Sequence, residues 1–108
     1  MKLLATDNTL VQMQEQLYRL YSPDIEINFK KTLDELNQQN FLRQRAYYRN
    51  FFYELESEQL EFTLIKLKPF YIEINYAIAN LNIVLQNANN AMNIIRCLEN
   101  VCFLLNKM

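Results

Sequence analysis

Glycine and histidine are both absent from this chain of 108 residues, and proline occurs only at 23 and 69. Glycine is the usual residue at positive φ in hairpin turns, phosphate loops and helix C-caps. A chain with none is a poor candidate for a meander of short strands, and it carries no Gly-rich nucleotide loop. Without histidine, the commonest general base and the commonest transition-metal ligand are missing. Serine stands only at 22 and 57, with no base near either in sequence. A Ser or Cys nucleophile would then depend on an unusual base such as lysine. No catalytic constellation remains, so neither enzymatic activity nor a cofactor is expected.

An excess of either charge is also lacking. Eleven basic and twelve acidic residues leave a net charge of −1, which gives the whole chain no general attraction to nucleic acid or an acidic membrane. The two cysteines, Cys97 and Cys102, would lie about 140° apart around a helix, too divergent to bridge each other. They read as reduced, buried thiols of an intracellular protein. The first residues, MKLLATDN, hold too short an apolar run for a secretory signal. From Ile74 to Ile95 there are 22 residues without a charge, enough to span a bilayer, but they include seven Asn and one Gln. Such polar groups are expensive in hydrocarbon. A helix buried by protein on most sides is expected there, and no membrane span.

What is present argues for a folded unit. Hydrophobic residues make up 51% of the chain, which excludes intrinsic disorder despite 14 Asn and 8 Gln. The length is that of one domain with a modest core.

The stretch FYIEINYAI, residues 70 to 78, alternates apolar and polar like a half-buried strand. The longer pattern decides against that reading. Positions 60, 64, 67, 71, 74, 78, 81, 85, 88, 92 and 95 are all apolar and follow a strict 4,3 spacing, the heptad seam of packed helices. Asn75, Asn82, Gln86, Asn89, Asn93, Arg96 and Asn100 form a polar stripe beside it. Asn can pair across helix interfaces and fix their register; an A+T-rich genome would enrich Asn equally well.

A first helix is expected over about residues 8 to 21, capped by Thr6 or Asp7, with Leu10, Met13, Leu17 and Leu20 on one face. Ser22 as N-cap and Pro23 as first helical residue open a second, with Ile25, Phe29, Leu33 and Leu36 as its stripe. This second helix extends over about 23–67, with a possible break at Asn37-Gln38-Gln39-Asn40. Beyond it the apolar heptad restarts as Phe41, Tyr48, Leu55 and Phe62. Pro69 turns or kinks the chain, because it removes a helical hydrogen bond. A last helix over about 70–106 would be about 55 Å long. The fold expected is all-α: an elongated antiparallel helical hairpin or a three- to four-helix bundle with coiled-coil-like heptad packing.

Two clusters invite a functional reading. Glu54, Glu56, Glu58 and Glu61 could suggest a Mg²⁺ site. Helical nucleotide pyrophosphatases use E-x-x-E followed by E-x-x-D; Glu58 and Glu61 fit the first half, but Tyr76 stands where the second needs its carboxylate. A solvated acidic face is expected, and no metal. In FLRQRAYYRNFFY, residues 41 to 53, Arg43, Arg45 and Arg49 interleave with Tyr47, Tyr48, Phe51, Phe52 and Tyr53. Three arginines without a wider basic field make a weak nucleic-acid signal, whereas Arg and Tyr are enriched at hot spots of protein interfaces. The function expected is a non-enzymatic interaction subunit, a coiled-coil-like scaffold or adaptor in an intracellular assembly. It would pair with itself or another helical protein through Arg43, Arg45, Tyr47, Tyr48, Arg49 and Phe52 and through the seam residues Tyr71, Ile74, Ile78, Leu81 and Leu85. The alternatives are a compact four-helix immunity protein, antitoxin or phage inhibitor that neutralises one target and, more distantly, a helical Mg²⁺-dependent nucleotide hydrolase.

Overall fold

A glycine-free chain must turn where its helices can be started and stopped by other means, and among the described residues such places lie at 21–22, 33–34, 68–70 and 86–90. The computed structural model describes residues 4–57, 65, 68–87 and 89–107, with side chains from residue 9 onward. Among the described residues there are five α-helices and no strand: α1 Leu4–Leu20, α2 Pro23–Thr32, α3 Glu35–Ser57, α4 Tyr71–Leu85 and α5 Ala91–Asn106. The alternating stretch at 70–78 is therefore helical from Tyr71 onward. No described residue has positive φ.

The first helix begins at Leu4, so it runs through Thr6 and Asp7 instead of starting from them. An acidic residue is favourable in a first helical turn, where it meets the positive end of the backbone dipole. At the first turn of the chain, Ser22 is extended at φ −69° and ψ 148°, and Pro23 opens α2. Asp24 and Glu26 then sit in its first turn and Lys30 and Lys31 in its last, each at the end of the helix dipole that favours it.

The second turn lies at Leu33-Asp34, not at 37–40, which is helical. Leu33 is extended, at φ −103° and ψ 146°. Asp34 caps α3, its Oδ1 accepting the Asn37 N–H at 2.9 Å. A capping carboxylate of this kind is worth about 1 kcal/mol. It restarts the helix in a new direction, and Leu36, expected on the buried stripe, faces solvent instead.

The turn at 86–90 corrects the largest expectation. The single last helix over 70–106 is two helices, because α4 ends at Leu85 and α5 starts at Ala91. The physical reason is the asparagine run. Asn side chains compete with the helix for backbone partners, and here Asn87 Oδ1 accepts the Asn89 N–H at 3.0 Å. The two helices are about 22 and 24 Å long. Upstream, Lys68–Phe70 forms one 3₁₀ turn containing Pro69, from which α4 departs.

Hydrogen bonds give the directions. Gln16 meets Tyr48, and Leu20 meets Arg45, so α1 and α3 run oppositely. Thr9 meets Asn75, and Gln16 meets Asn82, so α1 and α4 run the same way. Asn40 meets Glu99, and Tyr47 meets Asn106, so α3 and α5 also run the same way. The adjacent helices α4 and α5 are thereby antiparallel. The assembly measures 47 × 22 × 21 Å with a radius of gyration of 14.0 Å, close to the roughly 13 Å of a compact chain this long.

Every helix supplies the core. Met13, Leu20, Tyr48, Leu55, Ile78, Leu81, Ile94 and Leu98 are fully buried, and burying an aliphatic side chain contributes roughly 1.5–3 kcal/mol. Within the seam, Ile74, Ile78, Leu81, Leu85 and Ile95 lie in this core, while Met92 is exposed. Positions 60, 64, 67 and 88, with Phe62, lie outside the described residues.

Candidate protein-interaction surfaces

The 41–53 cluster separates onto two faces of α3, as 100° per residue requires. Arg45, Tyr48 and Phe52 point inward and are buried, and Arg49 is half-buried beside them. Arg43 and Tyr47 lie on the opposite side of the helix, toward α5. Ile74, Ile78, Leu81 and Leu85 are enclosed by the chain itself, with Tyr71 half-buried at their edge. The structure therefore does not join these residues into one surface.

Arg45 is held by three elements. Its Nη1 donates to the Leu20 carbonyl at 3.1 Å and to Glu26 Oε2 at 3.3 Å. Its guanidinium lies 3.9 Å from the centroid of the Tyr21 ring and 5.1 Å from that of Phe41. Arg49 approaches the same Tyr21 ring at 5.5 Å. An arginine over an aromatic face is attracted by the ring quadrupole. Tyr21 and Arg49 of this stack also line a groove of about 290 Å³ between α1 and α3. Tyr18, Tyr21, Arg49, Phe52, Tyr53 and Glu56 line it. Tyr18 is 84% exposed and Tyr53 56% exposed on its rims. The sequence pointed to Arg49, Phe52 and Tyr53 among these. The signal for the rest was Tyr18 and Tyr21, three apart on α1.

A polar network sits under the groove, at the meeting of α1, α3 and α4. The Tyr48 hydroxyl donates to Gln16 Oε1 at 2.6 Å. Gln16 Nε2 donates to the Ile78 carbonyl at 2.7 Å and to Asn82 Oδ1 at 2.9 Å. Thr9 donates to Asn75 Oδ1 at 3.0 Å, and Arg19 donates to the Leu85 carbonyl. The α4 half of the asparagine stripe thus binds α1 within the chain. Asn93, Arg96 and Asn100 fall on α5, past the turn.

On the α3–α5 side, Cys102 Sγ donates to the Gln44 carbonyl at 3.5 Å. Burial, with the Glu99 charge next, pushes its thiol up to about 12. Burial, with Cys102 next, also holds the Tyr48 hydroxyl well above the ordinary phenol value. Both groups keep their protons to higher pH in the folded chain, so at alkaline pH the folded state holds more protons than the unfolded one. Stability is then expected to fall between about pH 9, where an unfolded thiol ionises, and about 12. Urea midpoints measured across that range check it; Cys102→Ala should flatten the slope.

Glu54 and Glu56 are exposed, and Glu58 and Glu61 lie outside the described residues. Among the described residues, no group of three or more acidic or cysteine side chains is placed to hold a metal ion. No helix among them is long and apolar enough to cross a membrane. The outer face of α4 is a second surface, carrying Ile72, Tyr76, Ala79 and Ile83 in the open. No protein-family model, curated protein or solved structure matches this chain, so its own surfaces carry the functional reading.

Proposed function

We propose that the chain is a non-enzymatic, intracellular interaction subunit whose α1–α3 groove receives a segment of another protein. The observation that carries this reading is the pair of rim tyrosines, Tyr18 and Tyr53, in one groove with Tyr21 and Arg49, whose guanidinium approaches the Tyr21 ring. Tyrosine offers a large, rigid contact area at small entropic cost, and arginine adds a charge already oriented by stacking. Arg49 and Glu56 stand two helical turns, about 10 Å, apart along the α3 wall of the groove, and opposite signs so separated would orient the guest.

The neutraliser reading, an immunity protein, antitoxin or inhibitor, shares this groove. It is favoured by one observation: Ile74, Ile78, Leu81 and Leu85 are satisfied inside the chain and do not await a partner. The two readings differ in outcome, because a neutraliser abolishes the activity of what it binds.

The test is a photo-crosslinking residue at position 18, with a control at Phe103 on the α5 side, in the cell that makes the protein. One dominant cross-linked protein is expected from position 18 and none from 103. Arg49→Ala or Tyr53→Ala should weaken binding of that protein at least tenfold, the scale of a hot-spot residue, while the melting curve stays in place. Equal cross-linking at both positions, or binding indifferent to both substitutions, would overturn the assignment of the groove.

A further inference from the structure

The outward face of α4 is opposite the core and apolar along its whole length. Ile72 is 81% exposed, Tyr76 72% and Ile83 64%, with exposed Ala79 between the last two. These four positions follow the spacing 4, 3, 4, which reads the same from either end. No charged residue occurs from Ile74 to Ile95, so only Glu73 is charged within the span of the stripe. Half-buried Asn75, Asn80 and Asn82 flank it.

We propose that a second copy of this chain covers this face, with the two α4 helices antiparallel about a two-fold axis between Ala77 and Ile78. The palindromic spacing carries the argument. An antiparallel copy sets Ile72 against the partner's Ile83, and large Tyr76 against small Ala79, twice over. Such large-against-small pairing is how helices interlock at close approach. The charge pattern selects the same direction. Antiparallel pairing keeps the two Glu73 carboxylates about 13 Å apart along the axis, beyond the roughly 8 Å over which salt leaves charges coupled. Parallel pairing would put them side by side. The result has the anatomy of a protein interface, with an uncharged apolar centre containing tyrosine and a rim of amides.

Size sets the strength. The stripe exposes on the order of 400 Å² per copy, the scale of the largest apolar patch on a typical monomer. With the rim, the pair would reach only the low end of the roughly 1,200–2,000 Å² of a stable interface. A dimer with a micromolar Kd is expected, separate from the α1–α3 groove.

The test is sedimentation equilibrium of the full chain from about 1 to 500 μM. The weight-average mass of the wild type should rise from 13.0 kDa toward twice that value. Ile72→Lys and Ile83→Glu, each alone, should hold it at the monomer with an unchanged melting curve at low concentration. The double variant should dimerise again, because antiparallel pairing places each new lysine against the partner's new glutamate. A wild type that stays monomeric throughout would overturn the proposal and leave the stripe to a different protein. A wild-type dimer that the single substitutions do not disturb, or one that the double variant does not restore, would overturn the antiparallel α4 pairing.

Discussion

Ile78→Asp is expected to abolish the fold. Ile78 is fully buried, and its carbonyl accepts the Gln16 side chain that ties α1 to α4. Among the described residues, the side-chain bond at this site comes from the neutral Gln16 amide, which cannot compensate a carboxylate's charge. Burying an isolated charge costs more than any other single substitution, and even the neutral acid loses its hydrogen bonds to water. The loss of the isoleucine packing adds roughly 2–5 kcal/mol. A domain of this size has roughly 5–15 kcal/mol in all, so the helical circular-dichroism signal should collapse at room temperature. Ile83→Asp makes the same chemical change five residues later, on the open face. It should cost only about 0.5–1 kcal/mol in the monomer, chiefly from a negative charge near a helix C-terminus. If Ile78→Asp melted like Ile83→Asp, the packing of α4 described above would be wrong.

The next largest effect belongs to the polar network inside that core. Gln16→Leu keeps the volume but leaves the Tyr48 hydroxyl and Asn82 Oδ1 without their shared amide. A buried polar group stranded in this way costs about 1–3 kcal/mol, and a loss of about 3 kcal/mol is expected here. Tyr48→Phe strands only Gln16 Oε1, and should cost about 1–2 kcal/mol by the same reasoning. The double variant Gln16→Leu/Tyr48→Phe removes both members and should cost at least 1 kcal/mol less than the two single changes together. Urea denaturation of the four proteins measures this coupling. Strict additivity would mean that water, and not Tyr48, satisfies Gln16.

Much of this architecture is legible in the residues, and what is not has identifiable causes. Ser22-Pro23 announces α2, because proline there blocks a continuing helix while suiting a new first turn. Pro69 announces the start of α4 for the same reason. Asp34 was harder to see, since the polar run just after it looked like the loop while a single carboxylate made the actual break. The turn at 86–90 was concealed by the heptad itself. Leu85 and Met92 are seven apart and keep the apolar rhythm in sequence, yet the chain reverses between them and Met92 faces water. Asn87, Asn89 and Asn90 were the local signal against it. Arg45 shows the limit of residue type as a guide. Arginine reads as a surface residue, and only the convergence of Leu20, Tyr21 and Glu26 from neighbouring elements makes a buried place for it. Tyr18 and Tyr53, which frame the proposed groove, lie 35 positions apart in the chain, and no pattern along it connects them.

The bonds that tie α1 to α4 have a consequence for how the molecule is made. Thr9–Asn75, Gln16–Asn82 and Arg19–Leu85 each join residues 66 positions apart. The α3–α5 bonds span nearly as much, 59 from Asn40 to Glu99. Contacts within 4–57 and within 71–106 are far more local, so two halves can take shape before they meet. On a ribosome adding roughly 5–20 residues per second, α1 waits about 3–13 s for its α4 partner to be synthesised. During that interval the inward edge of the first half, with Met13, Gln16 and Tyr48, lacks the helix that will cover it. Closure of the long loop, not formation of any helix, is the slow entropic step, and the nascent first half is the species that a chaperone would meet.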